Sequence, residues 1–300
     1  MKVGMIGLGG IAKKAYLPVL TQTAGIELHV CTRNGAVLEE VKEKYRIRHT
    51  YQNIDTWLQS GIKAAFVHSA TESHEAIIDQ LLDRGIHVYV DKPITNDGES
   101  ASRLMEKAKK NGLLLRVGFN RRYAPSYQKL KELKYPNMMV MEKNRSRQAG
   151  DVREVIFDDF IHVIDTLLYL FPYQIDDIRI HGNSKDGKLQ HVILQLIASE
   201  GTAIGMMNRE AGANVEKVEL MNASETWSVM NVSEIATHKD KDVLIHGNND
   251  WEPTLMKRGF HSVTASFLEA VEKGATAPYG YSQDLEPHLI AERIVQYIGE

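Results

Sequence analysis

The feature that most constrains this chain is a glycine-rich turn near its beginning, which reads Gly7, Leu8, Gly9, Gly10, Ile11, Ala12. It follows a short apolar strand pattern, opens a helical pattern and matches G-x-G-x-x-G/A. The first glycine permits a tight turn, the second lets the backbone approach a diphosphate, and the small Ala12 lets the helix pack closely. Helix N-terminal amides can hold a diphosphate only when strand, turn and helix follow in this order. The pattern therefore predicts a bound dinucleotide, and a tight turn that binds nothing is the alternative.

Short apolar runs and longer helical patterns alternate through the first 120 residues. Strand patterns cover residues 3–6, 26–31, 64–68, 87–90 and 113–117, and helical patterns cover 11–22, 36–45, 54–59, 74–84 and 99–111. This alternation is typical of βαβ units. It predicts a doubly wound parallel sheet of the Rossmann type over residues 1–120.

The pattern changes after Gly118. Strand patterns now follow one another without intervening helices, at residues 177–181, 191–198, 203–208, 215–222 and 226–232, after an isolated one at 138–143. Helical patterns cover 157–170, 260–272 and 284–298. Consecutive strands favour an antiparallel sheet. We expect residues 121–300 to form an α+β domain with a large, mostly antiparallel open sheet.

The end of the second strand indicates which dinucleotide binds. A site selective for NAD places an acidic residue there, against the ribose diol, whereas this chain reads Cys31, Thr32, Arg33, Asn34. Thr32 can hydrogen-bond a 2′-phosphate and Arg33 can pair with it. NADP(H) is therefore the favoured cofactor, and NAD(H) remains possible. The alternative is that Thr32 caps the next helix while Arg33 is solvated.

Three further motifs suggest a family. They are the run Ser69, Ala70, Thr71, Glu72, Ser73, His74, the run Asp91, Lys92, Pro93, and the spaced set Asp158, His162, Asp165. Together with the glycine turn, these motifs resemble the Gfo/Idh/MocA oxidoreductases, which are named for glucose-fructose oxidoreductase and inositol dehydrogenase. The resemblance covers nearly the whole chain.

The resemblance implies hydride transfer between a nicotinamide cofactor and a sugar, polyol or inositol-like substrate, with Lys92, Asp158 and His162 as the catalytic residues. It also implies a dimer or tetramer formed through the C-terminal sheet. The cofactor contacts that it implies beyond the glycine turn are Ser69, Ala70, Thr71, His74, Asp91, Lys92 and Arg121. The chain departs from the family by an Asp in place of the Glu of its Glu-Lys-Pro signature. It also departs by Val155, Ile156, Phe157 and Phe160, where the family usually has glycines.

The proposed catalytic residues suit oxidation of an alcohol. Such a reaction needs a base for the hydroxyl proton, and His162 can serve because Asp158, four residues earlier, can fix its tautomer. Lys92 follows a parallel strand at the sheet edge where ligands bind, and it can stabilise a developing alkoxide. The alternatives are a surface pair on a helix and a lysine that only ends a strand. We predict no metal site, because Asp158 and His162 have no third ligand evident from the sequence.

Composition excludes several other classes of protein. A net charge of −3 argues against nucleic-acid binding, and the sequence has no apolar run of the eighteen or more residues that cross a bilayer. Cys31 is the single cysteine, which suits a reducing cytoplasm. Two alternatives to a dehydrogenase stay open. One is a regulator of the same fold that senses the nucleotide, and the other is a glycoside hydrolase that works through transient oxidation.

Overall fold

The computed structural model describes residues 1–247, 251–274 and 281–299. In the first 118 residues the strands are β1 (Lys2–Ile6), β2 (Glu27–Cys31), β3 (His49–Tyr51), β4 (Ala64–Val67), β5 (His87–Val90) and β6 (Leu115–Val117). The helices are α1 (Leu17–Leu20), which continues the π-helical turn Ala12–Tyr16, then α2 (Gly35–Tyr45), α3 (Ile54–Leu58), α4 (His74–Asp83) and α5 (Gly98–Lys110).

Among the described residues, six strands form the first sheet in the order β3-β2-β1-β4-β5-β6, and every neighbouring pair is parallel. This is the strand order of a Rossmann sheet, in which ligands bind beyond the carboxyl ends of the strands where the order reverses. The reversal falls between β1 and β4. The sheet confirms the predicted fold class.

Local capping explains where the helices begin. The side chains of Asn34, Asn53 and Asp97 accept hydrogen bonds from the first backbone N–H groups of α2, α3 and α5. Strand β3 was not predicted, because its three half-buried residues are too few to show a period.

The remaining strands are β7 (Met138–Asn144), β8 (Gly150–Asp151), β9 (Asp177–Lys185), β10 (Lys188–Ile197), β11 (Thr202–Asn208), β12 (Val215–Met221), β13 (Thr226–Met230), β14 (Glu234–Lys239) and β15 (Asp242–His246). The helices are α6 (Pro125–Leu130), α7 (Val152–Val155), α8 (Ile161–Leu170), α9 (Thr254–Lys257), α10 (Phe260–Glu272) and α11 (Tyr281–Gly299). The π-helical turn Ile156–Phe160 joins α7 to α8. The sequence did not predict β8, β14, β15, α6, α7 or α9, which are short, polar or both.

Within the described chain, nine strands form the second sheet in the order β15-β14-β13-β12-β7-β11-β10-β8, with β9 also paired to β10. Neighbours are antiparallel except for β7 and β11, so the mostly antiparallel sheet is confirmed. Helix α8 packs closely on β11. A Cβ atom at Gly205 would lie 2.6 Å from Val163 Cγ1 and 2.7 Å from Leu167 Cδ1, so glycine there permits the approach.

The chain divides into two compact units. The first contains Met1–Gly118 together with the segment from Phe260 to His288, and the second contains Phe119–Gly259 together with the residues from Leu289 onward. The predicted boundary at residues 120/121 lies close to the junction after Gly118. The segment from Phe260 to His288, which the sequence placed in the second domain, instead belongs to the first unit. Its α10 carries Phe260 and Phe267, which pack against Tyr16 and Phe66.

In the part of the chain that the structure describes, no helix has both the length and the apolar character to cross a membrane.

Candidate active site

The glycine turn after β1 has the geometry that its motif predicts. Gly7 has a φ of +87°, a conformation that side chains disfavour. A Cβ atom on Gly7 would lie 2.2 Å from the backbone nitrogen of Ser69, so no other residue fits without moving that loop. The Gly7 N–H donates to the carbonyl of Cys31, 3.2 Å away. The turn therefore joins the ends of β1, β2 and β4.

Gly9 and Gly10 face open space instead. A Cβ atom on either would meet no atom within 4 Å. The N–H of Lys13 makes the first intrahelical bond, to the Gly9 carbonyl, and Ala12 is fully buried against the sheet. The preceding amides of the first turn lack intrahelical acceptors and can bind an anion. This open, amide-lined space fits the diphosphate of a dinucleotide.

The end of β2 presents polar groups at the surface. Asn34, rather than Thr32, is the N-cap of α2, since its Oδ1 accepts from Val37 N at 3.2 Å. Thr32 is half-buried and Arg33 is exposed. Cys31 is buried, and burial raises the pKa of its thiol to about 11, so it is an inert packing residue. Thr32 and Arg33 thus lie at the carboxyl end of β2, and their contact with a ribose phosphate stays a prediction.

His74 ties together the loops that follow β4 and β5. Its Nδ1 lies 3.0 Å from the Pro93 carbonyl oxygen and its Nε2 lies 3.0 Å from the Ser69 carbonyl oxygen. The imidazole is buried, and this burial lowers its pKa. The neutral ring has a single N–H, so it donates to one of the two carbonyls at a time. Thr71 begins a short 3₁₀ turn between Ala70 and His74. In this structure His74 contacts both loops, and its predicted contact with the cofactor stays a prediction.

Lys92 lies in the turn after β5, half-buried and joined to Pro93 by a cis peptide bond. The next backbone N–H, that of Ile94, donates to Nε2 of His288 at 2.9 Å. His288 Nδ1 in turn donates to the Asp284 carbonyl at 2.9 Å. His288 is fully buried and therefore fixes the lysine turn. Sequence reasoning missed it, because its partner lies 194 residues away and the spacing around His288 gives no signal.

Asp91 precedes Lys92 and lies among tyrosine hydroxyls. The hydroxyls of Tyr16 and Tyr89 are 2.8 Å apart. A Cβ atom on Gly118 would lie 3.0 Å from Tyr16 Oη, 3.1 Å from Tyr89 Oη and 3.3 Å from Asp91 Oδ1, so the three oxygens converge on one point. Burial and the Asp91 charge raise the pKa of Tyr16 well above its usual value. Tyr16 therefore remains a neutral hydroxyl beside the Asp91 carboxylate, and the sequence singled out neither tyrosine.

In the second unit, Asp158 and His162 lie on one continuous helical run that begins at Val152. Asp158 is exposed and His162 is half-buried. Phe157 and Phe160, which occupy positions where the resemblance predicts small residues, are fully buried in the core. These two rings therefore fill the core and leave the polar side of the helix to Asp158 and His162.

Asp159, next to Asp158, belongs to a buried network of charges that sequence reasoning missed. It accepts from Arg145 Nε at 2.7 Å and from Arg209 Nη1 at 2.7 Å, and Lys143 Nζ lies 3.4 Å away. Lys143 also donates to Glu216 at 2.9 Å. Burial, followed by the charge of Arg121, lowers the pKa of Lys143 to about 8.

Arg121, a predicted cofactor contact, is engaged in this network. Its Nε and Nη2 donate to the two carboxylate oxygens of Glu216 at 2.6 and 2.7 Å. Burial opposes the charge of Glu216, but Arg121 and Lys143 hold the pKa of that carboxyl below its usual range. The neighbouring Arg122 pairs with the buried Asp165. The geometry gives Arg121 a structural partner, and its contact with a cofactor stays a prediction.

The predicted residues therefore fall in both units. The glycine turn, Thr32, Ser69, His74, Asp91 and Lys92 belong to the first unit, and Arg121, Asp158 and His162 belong to the second. Within the first unit, the ends of β1, β2, β4 and β5 bring the predicted residues to one edge of the sheet. A nicotinamide dinucleotide fits the residues at this edge.

Known proteins match the chain over its whole length. A model of an oxidoreductase family with an NAD-binding Rossmann fold, GFO_IDH_MocA, matches residues 1–119, and a model of the YceM-like C-terminal domain matches residues 125–240. The protein YceM of Salmonella typhimurium is 34% identical to this chain over an alignment of 306 residues with gaps. The alignment covers 99% of this chain and 96% of that protein.

A UDP-N-acetylglucosamine 3-dehydrogenase of Acidithiobacillus ferrooxidans is 27% identical over 61% of this chain and 58% of its own length. A solved structure of a Gfo/Idh/MocA family oxidoreductase from Vibrio cholerae superposes with a TM-score of 0.93 at 32% identity, covering 100% of this chain and 98% of that one. The glycine turn, the two sheets and these matches agree, and the chain belongs to the Gfo/Idh/MocA family of oxidoreductases that use a nicotinamide cofactor.

Proposed function

We propose that this oxidoreductase transfers a hydride between NADP(H) and a hydroxyl or carbonyl group of a sugar-like or polyol substrate. One observation carries the proposal. The glycine turn, the Ser69 loop and the Lys92 turn lie at the same edge of the sheet. His74 contacts the last two, since its ring nitrogens lie 3.0 Å from the Ser69 carbonyl oxygen and 3.0 Å from the Pro93 carbonyl oxygen. A dinucleotide held by the turn then has a cationic side chain fixed on the same unit.

The roles follow from the chemistry of the side chains. The nicotinamide ring of the bound cofactor accepts or supplies the hydride. Lys92 donates a hydrogen bond to the reacting oxygen and stabilises negative charge as it develops there. His162 takes the hydroxyl proton during oxidation and returns it during reduction, and Asp158 holds its tautomer.

The preference for NADP(H) is supported by the end of β2. No carboxylate stands at Thr32 or Arg33, and Asn34 takes over the capping of α2. The Thr32 hydroxyl oxygen accepts a long hydrogen bond from Asn34 N, at 3.4 Å, and its hydrogen can still be donated. Thr32 and Arg33 can therefore both donate to a 2′-phosphate. The test compares kcat/KM for NADPH and NADH, and a clear preference for NADH would contradict this part of the proposal. Arg33→Ala should lower the preference for NADPH by about ten-fold, since it removes a charge-assisted hydrogen bond.

The substrate class is supported by the family and by the relative that is a UDP-N-acetylglucosamine 3-dehydrogenase. The experiment is a panel of sugars, sugar nucleotides, polyols and inositols, with nicotinamide absorbance and product analysis as the two readouts. Turnover with a net change in absorbance supports a dehydrogenase. Cleavage of a glycoside without net change indicates the hydrolase alternative. Tight NADPH binding with no turnover on any compound, together with capture of a protein partner, indicates the regulator.

The catalytic roles are tested by Lys92→Ala and His162→Ala. Each should lower kcat by about 10²–10⁴-fold, because each removes a group that acts on the reacting oxygen or its proton. The cofactor dissociation constant, measured by calorimetry, should change little. Lys109→Ala, which removes an exposed lysine of α5, is the matched control and should retain full turnover. The assignment is wrong if neither Lys92→Ala nor His162→Ala lowers turnover.

We also propose a homodimer or homotetramer that forms through the sheet of the second unit. Its end strand β15 exposes three consecutive apolar side chains, Val243, Leu244 and Ile245, with exposed fractions of 58%, 60% and 76%. Edge strands of this kind are rarely left uncovered. Light scattering should give a multiple of the 33.8 kDa chain mass, and Ile245→Lys should shift it toward the monomer.

We propose that the protein works in the cytoplasm. Its single cysteine, Cys31, is buried and cannot form an internal disulfide, which suits a reducing compartment. Cell fractionation of a tagged chain tests this assignment.

A further inference from the structure

Three potential metal ligands meet at the open edge of the first sheet, away from the glycine turn. Glu27 and His29 are two residues apart on β2, so their side chains lie on the same face. His49 on the edge strand β3 is the register partner of His29. Two imidazoles and a carboxylate thus share one patch of one face.

The distances between their polar atoms are short. His29 Nε2 lies 2.7 Å from Glu27 Oε1, and His49 Nε2 lies 3.5 Å from the same oxygen. The two imidazole rings stack with centroids 4.3 Å apart and an interplanar angle of 8°. Each of the three residues offers one ligand atom, and these three atoms lie within 4.8 Å of one another. Among the described residues, no other group of three or more His, Cys, Asp or Glu side chains meets this condition.

These separations are close to those of a tetrahedral metal site. Bonds of about 2.0–2.2 Å to a central ion place neighbouring ligand atoms roughly 3.2–3.6 Å apart. The Glu27–His49 distance of 3.5 Å already falls there, while the Glu27–His29 distance of 2.7 Å must open slightly. Glu27 and His49 are about half exposed, with side-chain exposures of 48% and 40%, so both can adjust and an ion can enter from solvent.

His29 is the fixed ligand of the set. It is 2% exposed, and its Nδ1 lies 3.1 Å from the hydroxyl of Tyr51. In this structure Nε2 carries the hydrogen that Glu27 accepts, and the Tyr51 hydroxyl can either donate to Nδ1 or accept from it. When the ring hydrogen moves to Nδ1, Nδ1 donates to Tyr51 and the Nε2 lone pair can bind a metal.

We propose that Glu27, His29 and His49 form a Zn²⁺ site, with solvent completing the coordination. Two imidazoles and one carboxylate suit zinc, whereas Mg²⁺ and Ca²⁺ prefer sets made only of oxygen ligands. The ion bridges β2 to the edge strand β3. Strand β2 ends at Cys31, immediately before Thr32 and Arg33, so the metal rigidifies the strand that carries the proposed ribose contacts. The site is independent of the proposed catalytic residues.

The test is calorimetric titration of the full-length, EDTA-treated and dialysed protein with ZnCl₂. We expect one Zn²⁺ per chain with a micromolar dissociation constant, and no binding of MgCl₂ or CaCl₂. His49→Gln and Glu27→Gln should each weaken zinc binding at least ten-fold. The matched control is His181→Gln. His181 is an exposed histidine, and like His49 it lies beside a second imidazole, that of His191. This control should bind zinc as the unaltered chain does.

Two further readouts locate the site. Co²⁺ bound at these ligands should give the visible absorption of a four-coordinate ion, and this band should be absent in His49→Gln. Zinc at a hundred times its dissociation constant should raise the melting temperature by several degrees, through binding to the folded state alone. Both variants should melt like the unaltered chain in EDTA, because both side chains are half exposed.

Three results would overturn the proposal. The first is no zinc binding at about 100 μM, a concentration well above the expected constant. The second is equal zinc affinity in the unaltered chain and both variants. The third is loss of binding in His181→Gln alone. If His49→Gln has a lower melting temperature than the unaltered chain in EDTA, the zinc affinity of Glu27→Gln replaces that of His49→Gln in the comparison.

Discussion

His288 accepts a hydrogen bond from the backbone N–H of Ile94, with 2.9 Å between the nitrogen and Nε2, although 194 residues separate the two in the chain. Ile94 is two residues beyond Lys92. Nδ1 of the same imidazole donates to Asp284, so the neutral tautomer is fixed and its one lone pair faces the lysine turn. Helix α11 thereby holds the turn after β5, which carries the proposed catalytic residue Lys92.

Replacing His288 should therefore affect both stability and turnover. His288→Leu leaves the Ile94 N–H buried without an acceptor, which should lower the free energy of unfolding by about 1–3 kcal/mol. It should also lower kcat about ten-fold, with an unchanged dissociation constant for the cofactor, since a small displacement of Lys92 weakens its hydrogen bond to the reacting oxygen. Urea denaturation, steady-state kinetics and calorimetry measure the three quantities.

His288→Gln is the matched variant, because its Oε1 can accept from Ile94 in place of Nε2. It should recover most of both losses. Equal turnover in His288→Leu and the unaltered chain would show that the lysine turn holds its position without this bond.

The parts of the site that the sequence could predict are those set by one local segment. The turn from Gly7 to Ala12 requires strand, turn and helix in order, and each of these leaves a short-range pattern. The same holds for Thr32 and Arg33, which follow a strand. The parallel pairing of the first sheet, the mostly antiparallel pairing of the second and most strands were likewise predictable from period and spacing.

The unpredicted parts arise from contacts between distant segments. Nothing around His288 marks it as the acceptor for Ile94, and Glu216 lies on a strand whose pattern does not show that it faces Arg121. The helix from Phe260 carries an ordinary amphipathic pattern, which cannot tell which unit its apolar face covers. Strand β3 is too short to show a period, so its pairing of His49 with His29 was also invisible.

Two glycines of the turn should have different roles, Gly7 in folding and Gly9 in cofactor binding. Gly7→Ala should lower the melting temperature strongly, because the new Cβ would lie 2.2 Å from Ser69 N at a φ of +87°. Gly25→Ala is the control for backbone strain alone, since Gly25 has a φ of +79° and open space around it. It should cost about 1 kcal/mol, and Gly7→Ala several times more.

Gly9→Ala gives the converse result. No atom lies within 4 Å of its Cβ position, so the protein should melt at the temperature of the unaltered chain. The added methyl group enters the space assigned to the diphosphate, and the NADPH dissociation constant should rise at least ten-fold. Unchanged NADPH affinity in Gly9→Ala would mean that the diphosphate lies elsewhere.

Replacing Glu216 should cost the second unit much of its stability. Glu216→Gln removes the carboxylate that two buried cations, Arg121 and Lys143, share. Arg121 loses its ion-pair partner, and Lys143 keeps Asp159 at 3.4 Å. Breaking a buried ion pair in this way typically costs about 3–5 kcal/mol. Burial lowers the pKa of Lys143 to about 8, so this amine can lose part of its charge near neutral pH. The cost should therefore lie near the lower end of the range of about 3–5 kcal/mol.

Glu219→Gln on the same strand is the control, because Glu219 pairs with the partly exposed Lys217 at 2.9 Å. It should change the free energy of unfolding by less than about 1 kcal/mol. Urea denaturation of both variants at pH 7.5 checks the difference. Equal values would show that the Glu216 network is no more costly to break than a surface pair.

His68 should make the protein sensitive to acid. In the described structure neither ring nitrogen of this buried imidazole has a hydrogen-bond partner, and the ring stacks on Tyr16 with centroids 4.0 Å apart. Burial, with a smaller effect of His74, lowers the pKa of His68 to about 3. The unfolded chain takes up a proton below about pH 6.5 while the folded chain does not, so stability falls as the pH falls from about 6.5 toward 3.

Between pH 7.5 and 5.5 this one group should remove about 1.4 kcal/mol of unfolding free energy. His68→Phe keeps the ring stack and abolishes the titration, so its loss over the same interval should be smaller by about that amount. His238→Gln, at an exposed position, should lose as much as the unaltered chain. Urea denaturation of the three proteins at both pH values makes the comparison, and parallel losses in all three would mean that His68 takes up its proton in the folded state.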